Sequence, residues 1–401
     1  MQRNRTTSQP DASPEALSGS ALPEVSVAEA SAASVAVREN SAAPRVFLLQ
    51  LDTLSPNQHQ TLALACGLVQ AGWNAHIVCR KGAELAERAR SRDIAVDFLP
   101  AEGERGLSML WSLFRALRGN VRASCVLHAC DPAASLLAAT AWRMNKSLHI
   151  VHTRRMPEME SDFKAMKRYA APEADIITDT LAGKVALQLS GLGTRKVHTI
   201  PCGIDPAEYP KNAHCNQGRF VHAVMGEMVE RRGHAIVYGA MSALLAKPSS
   251  VPWEVRFLGD GPAFPALLEE AKAEGLERYM AFLCEADETL ELSRCDSLLL
   301  PAADGESNIP LILQGWACGV PVIAVNRLDY TETLVADVNC LLVQSGDVGG
   351  FAENMLRLAQ NEDLRQRLVQ GGQASLERYS RKAMVAAHMA LYRRILALPP
   401  A

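Results

Sequence analysis

The order of apolar and polar segments constrains the fold of this chain more than any single residue does. In the first half, short apolar runs at residues 45–51, 75–79 and 94–99 alternate with segments that have a helical pattern. The alternation recurs in the second half, where Phe220–Met225 and Trp253–Leu258 are the clearest strands. Strands that alternate with helices in this way favour parallel, doubly wound α/β sheets.

The length and composition further limit the number of domains and the kinds of partner that we expect. A chain of 401 residues exceeds the usual size of a single domain, so we expect two domains. A net charge of -3 gives no reason to expect a nucleic-acid partner. Residues 1–44 are rich in Ala, Ser, Glu and Pro and contain no aromatic residue, which predicts a disordered leader.

The cysteines and the hydropathy bear on the compartment. The ten cysteines are scattered and show no CxxC or Cys/His metal spacing, so we expect reduced core thiols, a cytoplasmic protein and no metal site. No apolar run reaches the roughly 18 residues of a membrane-spanning helix, so we expect no membrane span.

The most informative motif covers residues 306–322, ESNIPLILQGWACGVPV. It begins with Glu306 on a polar loop that follows a buried strand, which is where open α/β sheets bind ligands. Gln314 lies inside an otherwise apolar helix and needs a hydrogen-bond partner there. The helix ends at the Gly319-Val-Pro321 turn, and a further strand follows.

This motif resembles the signature of the retaining GT-B glycosyltransferases of family 4. Their pattern is Glu, seven residues, a second Glu, and a Gly-x-Pro-Val turn; Glu306 fills the first position, and Gln314 departs from the second. Another register would start at Asp304-Gly305, but it needs two extra residues before Gln314. An ordinary βαβ unit of another α/β protein is the alternative interpretation.

The resemblance covers most of residues 45–398 and implies the GT-B fold, in which two Rossmann-like parallel-sheet domains face a cleft. Residues 196–205, KVHTIPCGID, resemble the family's segment at the end of the first domain. We therefore expect residues 45–205 to bind the acceptor and residues 206–380 to bind the nucleotide sugar. Residues 381–401 are expected to form a helix that packs back on the first domain.

In the first domain, the resemblance places His128 near the donor sugar and the reaction centre. The alternative is a buried, hydrogen-bonded histidine, with Asp131 as the cap of the following helix. Asn57 and His59 occupy the loop where the family has a Gly-Gly pair, and they are candidates for acceptor contacts; a plain helix cap is the alternative there.

Two adjacent arginines, Arg154 and Arg155, follow a strand at its carboxyl end, where their planar donors suit a phosphate or carboxylate of the acceptor. The alternative is a solvated charge cluster. The basic segment 154–168 is also a candidate for peripheral contact with the inner face of the cell membrane.

In the second domain, the resemblance assigns donor binding to Gly226, Arg231, Arg232 and Gly259. Glu227 stands where the family has an arginine, and a carboxylate there repels a diphosphate. The motif adds the donor-binding residues Ser307, Asn308, Ile309 and Gln314. The segment 330–335 is predicted to begin a helix.

These assignments predict a retaining glycosyltransferase that needs no metal ion and no cofactor. Its partners would be a nucleotide-sugar donor and a saccharide or glycolipid acceptor of the lipopolysaccharide or exopolysaccharide type, and Glu306 would orient the donor sugar or stabilise developing positive charge. A degenerate GT-B protein that binds a saccharide or partner without transfer is one alternative. Another GT-B chemistry, such as sugar-nucleotide epimerisation, is the other.

Overall fold

A computed structural model describes residues 43–52, 57–101, 107–117, 125–155, 174–189, 196–212, 218–229, 233–246, 251–284, 286–303 and 307–399. The described residues belong to one compact unit, Asn40–Ala401.

Two parallel sheets form the framework. The first sheet has the strand order β3-β2-β1-β4-β5-β6-β7, and the second has the order β10-β9-β8-β11-β12-β13. The strands of the first sheet are β1 (Arg45–Gln50), β2 (Asn74–Arg80), β3 (Ala95–Leu99), β4 (Cys125–Ala129), β5 (His149–Thr153), β6 (Asp175–Thr178) and β7 (Lys196–Thr199). Those of the second are β8 (Phe220–Met225), β9 (Trp253–Leu258), β10 (Met280–Leu283), β11 (Ser297–Leu300), β12 (Val322–Val325) and β13 (Leu341–Val343).

Helices connect the strands. The helices between strands of the first sheet are α1 (Asn57–Gln70), α2 (Glu84–Arg90), α3 (Leu107–Ala116), α4 (Pro132–Met144) and α5 (Leu181–Leu187). Those that follow are α6 (His234–Leu245), α7 (Phe264–Ala273), α8 (Glu288–Leu292), α9 (Ile309–Cys318), α10 (Val348–Gln360), α11 (Glu362–Ser375) and α12 (Arg381–Ile395).

Local sequence signals determine where α4 begins and where α9 ends. The Asp131 carboxylate accepts the Ala134 N–H at 2.7 Å, and Pro132 occupies the first turn of α4, where its missing N–H costs nothing. Asp131 also accepts the Leu51 N–H, which ties the start of α4 to the end of β1. At the end of α9, Gly319 adopts the left-handed conformation with φ of 79°, as the Gly-x-Pro turn predicts.

Each face of the first sheet has its own core. On one face, α1 and α2 share a hydrophobic cluster with Met384, Val385, Leu391 and Tyr392 of α12. On the other face, α3 and α4 pack over Phe47, Leu127 and neighbouring strand residues. The carboxyl-terminal helix therefore completes the core of the first sheet, and the predicted GT-B architecture is confirmed.

The two connections between the sheets run side by side. The Ile204 N–H donates to the Tyr379 carbonyl at 2.8 Å, and the Arg381 N–H donates to the Ile204 carbonyl at 2.9 Å. The Arg381 guanidinium pairs with Asp205 at 2.7 Å and with Glu208 at 2.6 Å. A relative movement of the sheets must therefore bend both connections together.

The prediction that a helix begins at Tyr330 is wrong. Only a 3₁₀ turn, Leu328–Tyr330, forms there, and turns follow it. The Asn339 side chain accepts the Val335 N–H at 2.8 Å and donates to the Thr333 carbonyl at 3.0 Å. These side-chain bonds occupy backbone groups that a helix would have paired. The proposed domain limits stay predictions, and the predicted leader lies outside the described residues apart from its last two positions.

Candidate active site

The carboxyl edges of the two sheets face each other. The Ser307 N–H, in the segment after β11, donates to the carbonyl of Arg155, directly after β5, at 2.8 Å. The Glu332 carboxylate of the second half accepts the Ala182 N–H, near the start of α5, at 3.0 Å. Because ligands of open α/β sheets bind at carboxyl edges, this junction is the candidate site.

Arg155 lies at the centre of this junction. Its Nε and Nη1 atoms are buried and hydrogen-bond to no group in the described part of the chain. Burial lowers the pKa of the Arg155 guanidinium, but Cys202 and Asp179 nearby raise it by more. The pKa of Arg155 is therefore above its usual value. A buried donor without a partner costs on the order of 1–3 kcal/mol, so an anion that reached these two nitrogens would be stabilised.

A carboxylate and a thiol accompany this arginine. Asp179 follows β6 directly and is 7% exposed, and the Cys202 thiol donates to its Oδ2 at 3.8 Å. Burial raises the pKa of Asp179 to about 6, against the opposing effect of the Arg155 charge. Burial likewise raises the pKa of Cys202 to about 12, so the thiol stays protonated at neutral pH. In the described part of the junction, the Arg155 cation therefore lies beside a weakly acidic carboxyl group, that of Asp179.

The neighbouring Arg154 is also inside the molecule rather than in solvent. It is 5% exposed, and its N–H continues the sheet by donating to the Ile177 carbonyl at 2.8 Å. Arg154 is therefore buried and Arg155 half-buried, and their contact with an acceptor stays a prediction. The rest of the basic segment, which includes Lys164 and Lys167, lies outside the described residues.

His128 is buried and hydrogen-bonded, and its catalytic role stays a prediction. It is 1% exposed, and its Nδ1 lies 2.6 Å from the Tyr392 hydroxyl and its Nε2 2.6 Å from the Thr153 hydroxyl. Burial, with His388 and Arg155 nearby, holds its pKa well below the usual range, so the ring is neutral. A direct contact with substrate would require one of these two bonds to break.

His59 lines a different cavity, of about 400 Å³, between the first sheet's helices and the second half of the chain. Arg88, Arg381 and Asp287 line the same cavity. Burial, reinforced by the charge of Arg88, lowers the pKa of His59 to about 4. Asn57 is the first residue of α1, and its side chain lies outside the described part of the structure.

The predicted donor glycines bring two loops into contact. Gly226 and Gly259 follow β8 and β9 with φ of 112° and 123°. A Cβ on Gly259 would lie 2.6 Å from the Gly226 carbonyl oxygen, so a side chain there would push the loops apart. Gly233 caps α6 with φ of 76°, and a Cβ on it would lie 2.6 Å from the Pro301 carbonyl oxygen at the end of β11. The start of α6 therefore sits against the segment that leads to Ser307.

The rest of the predicted donor set lies at the start of α9 or outside the described residues. Ser307, Asn308 and Ile309 are at most 2% exposed, and Gln314 is 2% exposed within a helix whose ten residues are all buried. The catalytic candidate and the two donor arginines, Glu306, Arg231 and Arg232, lie outside the described residues. Their roles stay predictions.

Sequence reasoning missed some of the charged groups around the junction. Asp179 comes directly after β6, just as Arg154 comes directly after β5. This position after a strand is the sequence signal that could have identified Asp179 as a candidate site residue. Arg327 and Asp329 follow β12 and form a buried two-point ion pair, with Nε–Oδ1 at 2.9 Å and Nη2–Oδ2 at 3.2 Å. In the described ranges, no group of three His, Cys, Asp or Glu residues could hold a metal ion.

Two facing parallel sheets, joined by paired connections and a carboxyl-terminal helix that crosses back, define the GT-B class of fold. Residues 58–208 match the family model described as "Glycosyltransferase Family 4", and residues 219–361 match that of "Glycosyl transferases group 1". Together the two matches span most of the chain. The chain belongs to the GT-B glycosyltransferases of group 1.

Individual relatives agree with this assignment. The chain is 26% identical over 149 residues to the N-acetyl-alpha-D-glucosaminyl L-malate synthase of Bacillus anthracis, covering 37% of this chain and 39% of that protein. It is 30% identical over 180 residues to the lipopolysaccharide core biosynthesis glycosyltransferase LpsD of Rhizobium meliloti, covering 44% and 50%. The chain thus spans half or less of these two curated relatives.

A solved structure supports the fold over a longer stretch. Anabaena Alr3699/HepE, in complex with UDP and glucose, matches with a TM-score of 0.73 at 15% identity, over 88% of this chain and 100% of that one. At this identity the likeness concerns the fold alone. Among the described helices, none is long and apolar enough to cross a membrane.

Proposed function

We propose that this protein is a retaining glycosyltransferase that moves a sugar from a nucleotide sugar to an envelope saccharide or glycolipid bearing an anionic group. The observation that carries the proposal is the buried guanidinium of Arg155, whose Nε and Nη1 have no described partner. Its carbonyl accepts the N–H of Ser307, so the arginine adjoins the segment that carries Glu306. An anionic acceptor would thereby be held beside the donor.

The donor would bind against the second sheet. The solved neighbour Alr3699/HepE was crystallised with UDP and glucose, which favours a uridine nucleotide as the first donor to test. In this chain, Gly233 provides no side-chain cap for α6, a helix start favours an anion, and Arg231 and Arg232 immediately precede it in the sequence. These groups would neutralise the leaving diphosphate without a metal ion.

The proposed transfer balances without a dedicated protein base. The acceptor hydroxyl attacks the anomeric carbon on the face from which the diphosphate leaves. The carbon–oxygen bond to the diphosphate breaks while the bond to the acceptor oxygen forms, and the hydroxyl proton passes to a diphosphate oxygen. Glu306 would orient the donor sugar or stabilise the positive charge that develops on it.

The acceptor class rests on the relatives and on the arginine together. LpsD is by name a lipopolysaccharide core glycosyltransferase, and an envelope core oligosaccharide is an acceptor of the same class. Phosphate and carboxylate groups match the planar donor geometry of arginine. We therefore expect an acceptor that loses affinity when its anionic groups are removed.

The donor test is a thermal-shift measurement with UDP, GDP and ADP and their sugar conjugates. A ligand that binds the native state raises its apparent stability. We expect one nucleotide to raise the melting temperature and Arg232→Ala to abolish that shift. A well-folded sample that responds to none of the nucleotides would contradict the proposal.

The acceptor test compares Arg155→Ala with Arg378→Ala, which removes an equal charge from an exposed position. Transfer of labelled sugar to a lipopolysaccharide core oligosaccharide should fall by roughly 10- to 100-fold in the first variant, since hydrogen bonds to charged groups contribute about 1.5–3 kcal/mol. The nucleotide shift should persist in both variants. Equal transfer by the two variants would refute the role of Arg155.

A non-catalytic saccharide-binding module is the second candidate, and Gln314 favours it. The family places a glutamate where this chain has an amide buried in α9. An amide offers the ribose hydroxyls one acceptor and one donor instead of a carboxylate. Nucleotide and saccharide binding without any turnover would support this candidate.

A further inference from the structure

A buried network of hydrogen-bonded side chains crosses the first sheet. The Tyr392 hydroxyl of α12 lies 2.6 Å from the Nδ1 atom of His128 in β4, and the Nε2 atom of His128 lies 2.6 Å from the hydroxyl of Thr153. The three residues are 0%, 1% and 4% exposed. Thr153 is the last residue of β5. These three side chains, which we call the Tyr392–Thr153 network, therefore connect the carboxyl-terminal helix to the carboxyl edge of the sheet.

Burial determines which groups of the network donate. It raises the pKa of Tyr392 well above the usual range, so the phenol keeps its proton. It also lowers the pKa of His128 well below the usual range, so the ring is neutral and has one N–H and one lone pair. Because a phenol is more acidic than the hydroxyl of threonine, we assign the phenol proton to Nδ1. The ring N–H then lies on Nε2 and donates to the Thr153 hydroxyl.

The network ends beside the arginine that we propose to hold the acceptor. Directly after Thr153, the Arg154 N–H donates to the Ile177 carbonyl at 2.8 Å. The carbonyl of the next residue, Arg155, accepts the Ser307 N–H at 2.8 Å. The side chain of Thr153 and the backbone of the two arginines are therefore held at three consecutive positions. Releasing the first of these positions should let the Arg155 side chain move.

The charge of Arg155 acts on the histidines around the network. Burial is the main cause that lowers the pKa of His128 and of His388, and the Arg155 charge lowers both further. His388 lies one turn before Tyr392 on α12, and its ring centroid is 5.8 Å from that of His128. A proton on His128 would place a second cation near Arg155. A Tyr392 hydroxyl that donates to Nδ1 occupies the lone pair that would take this proton.

We infer that Tyr392 is a positioning residue for the transfer. Acting through the Tyr392–Thr153 network, it sets the orientation in which Arg155 holds the anionic group of the acceptor. The inference rests on the function proposed above for Arg155. A tyrosine that only filled the core would act through its ring, which packs against Trp73 with ring centroids 5.9 Å apart. Tyr392→Phe keeps that ring and removes only the hydroxyl, so its effect reports on the network.

The experiment measures transfer to a lipopolysaccharide core oligosaccharide at varied oligosaccharide concentration. Tyr238→Phe is the matched control, because Tyr238 is 1% exposed and its hydroxyl donates to the Leu267 carbonyl at 2.8 Å in the second half of the chain. Both variants lose one buried hydrogen bond, and a loss of folded protein lowers kcat without changing the acceptor KM. We expect Tyr392→Phe alone to raise the acceptor KM, by roughly tenfold, with kcat within about twofold.

Two further sets of variants locate the effect within the network. Thr153→Val removes the other end of the network and should raise the acceptor KM by a similar factor, whereas Thr153→Ser keeps a hydroxyl and should not. This pair tests the network even if Tyr392→Phe does not fold, which circular dichroism checks. In an Arg155→Ala background, Tyr392→Phe should change the acceptor KM by less than about twofold, because the group that it positions is already absent. Effects of these two substitutions that multiply would contradict the inference.

Two measurements do not need sugar transfer. Ring chemical shifts of histidine-labelled protein should show the Nε2–H form of His128, and Tyr392→Phe should change them. Calorimetry should show a roughly tenfold loss of oligosaccharide affinity in Tyr392→Phe and no loss in Tyr238→Phe. If the protein binds the oligosaccharide without transferring sugar, the proposed function fails, and this difference in affinity still supports the network. Ring shifts that Tyr392→Phe leaves unchanged, or equal affinities in the two variants, would overturn the inference.

Discussion

Replacing Gly233 by alanine should disturb the contact between the start of α6 and the end of β11. Gly233 has φ of 76°, a left-handed conformation that costs other residues about 1–2 kcal/mol. The new Cβ would lie 2.6 Å from the carbonyl oxygen and 2.8 Å from the carbonyl carbon of Pro301. Because these are backbone atoms, the strand end or the helix must shift, which adds about 1–3 kcal/mol. The expected loss in free energy of unfolding is about 2–5 kcal/mol.

Gly275→Ala is the matched control. Gly275 has a similar φ of 69°, but nothing lies within 4 Å of the position that its Cβ would take. The free energy of unfolding of Gly275→Ala should fall only by the conformational cost of the left-handed backbone, about 1–2 kcal/mol. Urea denaturation of both variants measures the difference, which isolates the contact with Pro301. Equal losses in the two variants would refute the reasoning.

The same pair of variants bears on the donor site. The proposed donor diphosphate lies at the start of α6, so Gly233→Ala should weaken UDP binding measured by calorimetry. Gly275→Ala, at the far end of a different helix, should leave it unchanged. Unaltered UDP affinity in a destabilised Gly233→Ala protein would place the diphosphate elsewhere.

Three further perturbations have definite expectations. Tyr392→Phe removes the hydroxyl 2.6 Å from the His128 Nδ1 and should lower the free energy of unfolding by about 1–3 kcal/mol in urea denaturation; no loss would mean that the bond is not formed. Burial lowers the pKa of His388 to about 4, below its unfolded value, so its stabilising contribution is complete above pH 6.5. Roughly 3 kcal/mol should then be lost as the pH falls from 6.5 to 4, and a flat stability profile over that interval would contradict this. Glu332→Ala removes the acceptor of the Ala182 N–H and should cost less than about 1 kcal/mol, an effect that shrinks in high salt if charge contributes to it.

The sequence predicted most strands of both sheets because their signals are local. Phe220–Met225 and Trp253–Leu258 are apolar runs with turn residues after them, and the structure gives them the same limits. Helix α4 was equally predictable, since Asp131 and Pro132 mark its start in the chain itself. These elements need no information from distant residues.

The parts that the sequence did not settle depend on residues far apart in the chain. His128 is held by Tyr392, 264 positions away, so its pattern alone could not distinguish a buried from a catalytic histidine. The segment after Tyr330 has helix-forming residues, but the Asn339 side chain captures its backbone groups. The groups that raise the pKa of Arg155, Cys202 and Asp179, likewise lie in the segments after β7 and after β6, which only the folded sheet brings together.

The crossing of α12 has a consequence for how the protein is made. The first sheet is synthesised from residue 45 to residue 199, yet Met384, Val385 and Leu391 of its core are synthesised only after the whole second sheet. Until then, His128 lacks the hydroxyl of Tyr392, and one side of the sheet lacks part of its cover. The core of the first sheet can therefore be completed only after the residues of the second sheet have been synthesised. A fragment that ends at the connection after β7 should fold only when a peptide containing Arg381–Ile395 is supplied.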